Sequence, residues 1–293
     1  MSEIETVALE LPIDVWVQAA RDEPTAYRNR QVTHILLAAI GITPGLQETM
    51  ILKGGALMML AFGSPRGTQD VDFTVAASPE PFAREFEDKL NPALQRAATQ
   101  LGYLDILCRV QKIKRQPRSS EFETATGAAL QITIGHARRG TNEAQRLEIK
   151  QAQQIVRVDL SFKEPVIHPT GAHLGRPEVT IRAYSLEDVI GEKLRALLQQ
   201  PSRNRQRRQD IYDIAWLIDA HSPDDEARRR ILESLVGKAE ARDVPCMIDS
   251  FDDPEIKRRA SLDWETLDLE VEKLPDFEEL FERVRGLYRG LPW

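Results

Sequence analysis

Two aspartates, Asp70 and Asp72, stand two positions apart in the run Arg66-Gly67-Thr68-Gln69-Asp70-Val71-Asp72-Phe73, downstream of Leu52-Lys53-Gly54-Gly55. On a strand, residues i and i+2 project from the same face. Carboxylates so placed can converge on one hard cation such as Mg²⁺. Without a cation they repel and raise each other's proton affinity. The paired glycines allow a backbone to approach a ligand closely, and successive N–H groups at a helix start suit phosphate oxygens. Arg66 and Thr68, just upstream of the aspartates, offer a charge and a hydroxyl to the same anion. A D-x-D pair is also what the solvent face of an ordinary edge strand looks like. The upstream Gly-Gly, the intervening Arg-x-Thr and the apolar flanks favour chemistry over that plainer account.

Further groups stand apart in the chain. Asp159 alternates with Val156, Val158, Leu160 and Phe162. If its strand neighbours the first, three carboxylates can hold two metal ions; otherwise it is a surface aspartate. Lys193 falls near the centre of the helical stripe Leu186, Ile190 and Leu197, where a lysine must snorkel out or meet an anion. A triphosphate and a structural carboxylate both satisfy it. Asp210 sits at the edge of the apolar arc of the next helix and Asp213 points further out, where helix-dipole complementation is the simplest role. Arg203, Arg205, Arg207 and Arg208 share a polar loop that can meet RNA phosphates or stay solvated. The five histidines show no ligand spacing, and no Ser/His/Asp hydrolase pattern is visible.

The elements that must position these groups are legible from periodicity. Helices are expected over 13–20, 25–40 and 56–62. Residues 70–75 alternate as a strand. An amphipathic helix covers 79–100, and strands follow over 104–114, 128–134 and 154–162. From Ser185 the pattern is helical. Ser185 and Asp188 read as a capping box, and a second helix covers 209–220. Residues 223–293 are charged, with sparse apolar positions, and read as further helices. The order is α+β, a mixed sheet flanked by helices and then a helical domain, without strict βαβ alternation. A division near residue 184 gives domains 1–184 and 185–293, the second completing the cleft.

Composition excludes several classes. The 293 residues are 42% hydrophobic and 29% charged, with a net charge of -7, values of a globular chain rather than a disordered or uniformly basic one. No apolar run is long enough for a bilayer span. The acidic start MSEIETVALELP lacks the shape of a signal peptide. Cys108 and Cys246 share no motif and fit a reducing cytoplasm.

Taken together, Leu52-Lys53-Gly54-Gly55, Arg66-x-Thr68-x-Asp70-Val71-Asp72-Phe73, Val158-Asp159-Leu160, the helix from Ser185 through Glu192-Lys193-Leu194-Arg195-Ala196-Leu197, and Asp210-Ile211-Tyr212-Asp213 resemble the AbiEii/AbiGii-type nucleotidyltransferase toxins, within the DNA polymerase β-like superfamily. The match covers roughly residues 45 to 220. It implies a toxin of a bacterial toxin–antitoxin or phage-defence pair, whose relatives transfer nucleotides onto tRNA acceptor ends. Asp70 and Asp72 match the metal pair, Gly54 and Gly55 the phosphate-loop glycines, Lys193 the lysine near the triphosphate, and Asp210 a downstream acidic position treated as active-site. Asp159 matches the third carboxylate more weakly. Ala56 departs from the pattern, because many members carry a hydroxyl there.

The expected reaction is Mg²⁺- or Mn²⁺-dependent transfer of a nucleoside monophosphate from a nucleoside triphosphate to an RNA hydroxyl, with tRNA the expected acceptor. Asp70, Asp72 and Asp159 are the expected metal ligands. Asp70, Asp72, Asp159, Lys193 and Asp210 form the catalytic set, and Gly54, Gly55, Arg66, Thr68 and Lys193 the nucleotide-binding set. A cognate antitoxin is the expected protein partner, the cytoplasm the expected location, and no membrane is involved. Two alternatives stay open on the residues alone: a metal-dependent glycosyltransferase using a nucleotide sugar, and a non-catalytic binding protein.

Overall fold

The computed structural model describes residues 8–68, 70–118, 120–271 and 273–293. Gln69 of the aspartate motif and the first seven residues of the acidic start lie outside them. The chain forms two compact units. The first comprises 1–61, 68–163 and 170–183, and the second 62–67, 164–169 and 184–293.

The first unit is built on one eight-stranded mixed sheet. Its strands are β1 (Leu9–Glu10), β2 (Met50–Lys53), β3 (Asp70–Val75), β4 (Ile106–Gln116), β5 (Ala129–Arg138), β6 (Ile155–Phe162), β7 (Pro169–His173) and β8 (Thr180–Tyr184), in spatial order β1-β7-β8-β2-β3-β6-β5-β4. Strand β3 is central, antiparallel to β2 and parallel to β6. Its Val71, Phe73 and Val75 face the core at 2% exposure or less. Val156, Val158, Leu160 and Phe162 of β6 are likewise buried in it. The period-two pattern thus drives one face of the sheet into the core by apolar burial.

Among the described residues, six α-helices belong to this unit: α1 (Ile13–Gln18), α2 (Pro24–Gly41), α3 (Pro44–Gln47), α4 (Gly54–Ala61), α5 (Pro79–Gln100) and α6 (Asn142–Glu148). The last ten residues of α2 are all buried. Helix α5 buries Ala83, Phe86, Leu90, Ala93, Leu94 and Ala97, a stripe at helical spacing. The strands β7 and β8 and the helices α3 and α6 carry too few periodic residues to be read from sequence. The chain from 104 to 162 instead extends its strands close to the expected bounds.

The second unit is helical: α7 (Leu186–Leu198), α8 (Gln200–Arg203), α9 (Arg208–His221), α10 (Asp225–Glu240), α11 (Pro254–Ser261) and α12 (Phe277–Arg289). Its carboxy-terminal part is more tightly packed than its charged composition implies. Phe251 and Tyr288 stack with ring centroids 4.4 Å apart, and Trp264 meets Phe277 edge-on at 5.2 Å. A few large aromatics supply the area that many small apolar residues would otherwise provide. Among the described residues no helix is long and apolar enough to cross a membrane.

Asp188 departs from its expected capping role. Its N–H does donate to the Ser185 hydroxyl at 3.2 Å. Its carboxylate, however, is wholly buried. It accepts the main-chain N–H groups of Ile167 (3.3 Å) and His168 (2.9 Å) and the hydroxyl of Ser234 (2.5 Å). Lys238, also buried, lies 3.7 Å from it and donates to the Pro165 carbonyl at 2.7 Å. Helices α7 and α10 approach closely here, since a Cβ on Gly191 would fall 2.8 Å from that of Ser234. The carboxylate therefore fastens segment 164–169 to two helices. Asp188→Ala leaves two buried N–H donors without their acceptor and takes the nearer of two carboxylates from Lys238, and we expect about 3 kcal/mol of lost stability in urea unfolding. A loss below about 1 kcal/mol would refute this role.

Candidate active site

Asp70 and Asp72 alternate with the buried residues of β3 and so share the opposite face of the sheet. Parallel pairing with β6 sets Asp159 directly beside Asp72 and Arg157 beside Asp70, one strand spacing of about 4.8 Å away. The three aspartates form one patch, each only partly exposed. Burial, reinforced by the charge of Asp70 and opposed by Arg157, raises the Asp159 carboxyl above its ordinary range. Asp70 Oδ1 is buried and accepts no hydrogen bond among the described residues. An orphaned carboxylate oxygen beside like charge is the donor set a hard cation satisfies. No three His, Cys, Asp or Glu among the described residues converge on one point.

The glycines are part of the same patch. Antiparallel pairing of β2 and β3 places Lys53 opposite Asp72, and α4 starts at the next residue. Gly54 has φ of 69°. A Cβ there would lie 2.8 Å from both Cβ and Cγ of Asp72. A Cβ on Gly55 would lie 2.8 Å from Cβ and Oγ1 of Thr68. Thr68 in turn donates its hydroxyl to the Asp70 carbonyl at 3.3 Å. Only glycine fits at either position, and the first turn of α4, with its free N–H groups, begins against the Asp72 side chain. Lys53 is the residue of this patch that sequence reasoning quoted without a role. A lysine ending an apolar run on a strand buried along its whole length was the signal.

The remaining expected residues gather in the second unit. Arg66 donates from Nε and Nη2 to both carboxylate oxygens of Asp213, each at 3.0 Å, and from Nη1 to Glu270 at 3.1 Å. Lys193 donates to Asp213 at 2.7 Å and to Asp210 at 2.9 Å. Gln209 donates to both oxygens of Glu270 at 3.0 Å. Burial acts against charge on Lys193, but Asp210 and Asp213 outweigh it and hold the ammonium protonated well above its usual range. Burial likewise acts against the Asp213 carboxylate, and Lys193 and Arg66 outweigh it, so its affinity for a proton falls.

Of the two anions that could meet Lys193, carboxylates are the ones present within this unit. Asp213 corrects the sequence reading most. It is fully buried, not outward-facing, because two cations draw it inward. Glu270 and Gln209 carried no sequence signal. The loop arginines 203, 205 and 207 are exposed.

These side chains can be tested in three ways. Asp213→Ala takes one carboxylate from each of two buried cations and leaves Glu270 on Arg66 and Asp210 on Lys193, and we expect about 3 kcal/mol of lost stability by denaturant titration. The depressed Asp213 stabilises above the unfolded carboxylate pKa of about 4 and ceases to as pH falls through its folded value. The raised Lys193 stabilises below its unfolded pKa of about 10.4 and ceases to as pH rises through its folded value. The network's contribution to stability should therefore be flat between about pH 5 and 9 and fall on both sides. Gly54→Ala forces both a strained φ and a shift of Asp72. We expect at least about a hundredfold loss of activity with a melting temperature within a few degrees of wild type. A variant of full activity would separate Gly54 from the site.

Comparisons with known proteins bear on this geometry. The family model described as "Nucleotidyl transferase AbiEii toxin, Type IV TA system" matches residues 35–283. No curated protein matches. Among solved structures, JHP933 from Helicobacter pylori is 15% identical with a TM-score of 0.51, and 91% of each chain is covered. MenT4, the nucleotidyltransferase toxin Rv2826c from Mycobacterium tuberculosis H37Rv, is 13% identical with a TM-score of 0.50, covering 95% of this chain and 88% of that one. At such identities the likeness speaks for the fold alone. The family model spans most of the chain, takes in both the aspartate strand and the lysine helix, and decides against the glycosyltransferase alternative. The chain belongs to the AbiEii family of nucleotidyltransferase toxins of type IV toxin–antitoxin systems.

Proposed function

We propose that this toxin transfers a nucleoside monophosphate from a nucleoside triphosphate to a hydroxyl of RNA, with tRNA the expected acceptor, and that it needs Mg²⁺ or Mn²⁺. The observation that carries the metal requirement is the aspartate patch of β3 and β6, crowded, partly orphaned and closed on one side by Gly54. A bound divalent cation would offset the charge of the triphosphate and of the departing pyrophosphate.

In this reading Asp70 and Asp72 would hold the cation, and Asp159, beside Asp72 on the next strand, would join them once the ion draws the three side chains together. Asp159 also orients the acceptor hydroxyl and takes its proton. The hydroxyl oxygen bonds to the α-phosphorus as the bond to the bridging oxygen breaks, and pyrophosphate leaves. Gly54 and Gly55 let main-chain N–H groups at the start of α4 reach phosphate oxygens without a side chain intervening. Thr68 holds the strand entry by its bond to the Asp70 carbonyl. For Arg66, Lys193 and Asp210 a part in positioning the triphosphate rests on the family resemblance. Ion pairing fixes all three side chains, the pre-organisation that phosphoryl-type transfer rewards. The cytoplasm supplies the triphosphate and the RNA, and a cognate antitoxin protein is the expected partner.

Incubation with total RNA, Mg²⁺ and each α-labelled triphosphate in turn tests the reaction. We expect label in RNA with one or more triphosphates. We also expect Asp72→Asn to abolish both labelling and growth arrest on expression. Arrest persisting with a folded Asp72→Asn protein would refute the catalytic reading.

A further inference from the structure

The carboxylate face of the sheet does not end at Asp159. Register carries it outward as rows of facing residues across three strands. One row runs Asp72, Asp159, Gln131, Lys114 over β3, β6, β5 and β4. The next runs Asp70, Arg157, Thr133, Lys112. Gln116 lies one row further along. Arg157, Gln131, Lys112, Lys114 and Gln116 are all exposed. Lys112 and Lys114 make no ion pair among the described residues. At about 4.8 Å per strand, the two lysines lie roughly 14 Å from the β3 aspartates.

A β-bulge puts the lysines there. Val110 pairs with Ile134, but Lys112, not Gln111, pairs with Thr133. Without the extra residue, alternation would set Lys112 and Lys114 opposite Ile132 and Leu130, on the buried face, and turn Ile113 onto the carboxylate face. The bulged Gln111 is itself held, since its side-chain amide donates to the Leu147 carbonyl at 3.2 Å and its carbonyl accepts from the Ala152 N–H at 3.0 Å. The segment after α6 covers the sheet face at Gly135, where a Cβ would fall 2.6 Å from that of Ala152. The rows beyond stay open. On a sheet outside its buried face, charged side chains also protect an edge strand. Protection of the edge alone does not require both lysines to face the aspartates.

We infer that this open face of β6, β5 and β4 is the track for the acceptor RNA, whose phosphates meet Arg157, Lys112 and Lys114 while its reacting hydroxyl lies at the aspartates. The inference rests on the proposed reaction and names a different surface from the 203–208 loop. Charge complementarity selects a polyanion, and continuity with the aspartate rows selects the strand that must reach them. The face presents no aromatic platform, so binding is expected to read phosphates and not bases.

The test uses the full chain. Binding of unfractionated tRNA and of a labelled single-stranded oligoribonucleotide is read by anisotropy in the Asp72→Asn background with EDTA, so no turnover is needed. Lys112→Glu with Lys114→Glu should weaken binding at least about tenfold and lower the salt slope by about 1.4 to 1.8. Lys112→Arg with Lys114→Arg should retain both. Unchanged binding by the charge-reversed protein, or loss only with Arg205→Glu and Arg207→Glu, overturns the track, as does failure of the parent protein to bind RNA. The proposed reaction fails separately: a wild-type protein that binds RNA along these lysines yet transfers no nucleotide leaves the track standing and removes the reaction.

Discussion

Three carboxylates on adjacent strands of one sheet are electrostatically unfavourable in a chain that is already acidic. Nothing in the folding of a small α+β unit requires Asp70, Asp72 and Asp159 on neighbouring positions, and a solvated edge would relieve them. Instead they lie at the middle of the sheet, partly buried, with one oxygen orphaned. The hydrophobic face behind them sets their position. Val71, Phe73, Val158 and Leu160 are driven into the core, and a period of two then leaves the aspartates no freedom to turn away. The repulsion is sustained by burial energy on the other face.

The second unit handles charge in the opposite way. Arg66 and Lys193 are brought to nearly complete burial, and each is met by carboxylates in good geometry. Asp213 is the pivot, bonded to both cations while wholly inaccessible. Such a network is weak evidence for stability, because apolar residues of equal volume often serve better. It does fix the direction of every side chain it contains.

The bulge at Val110 and Lys112 shows how a single inserted residue changes which side chains a strand presents on each face without changing the fold. The strand keeps its partner and its length, while the sidedness of everything after Gln111 inverts. The inversion turns Ile113 to the apolar side, where it is half-buried, and leaves two lysines exposed.

Much of this was legible in the linear chain. The alternation in 70–75 and 154–162 is a local consequence of burial on one face, so the strand bounds and the sidedness of Asp70, Asp72 and Asp159 followed from it. The stripe around Lys193 likewise announced a cation among apolar neighbours, and the glycine pair announced a backbone under constraint. Which strands are neighbours is a non-local matter, and only pairing of β3 with β6 placed Asp159 beside Asp72. The same holds for Asp213, whose place on a helical wheel said outward while two distant cations drew it in, and for Glu270, whose partner Arg66 lies some two hundred residues earlier. Periodicity reports what one element buries; it carries no information about which charges from elsewhere in the chain arrive at its surface, and that was decided only when the tertiary structure closed.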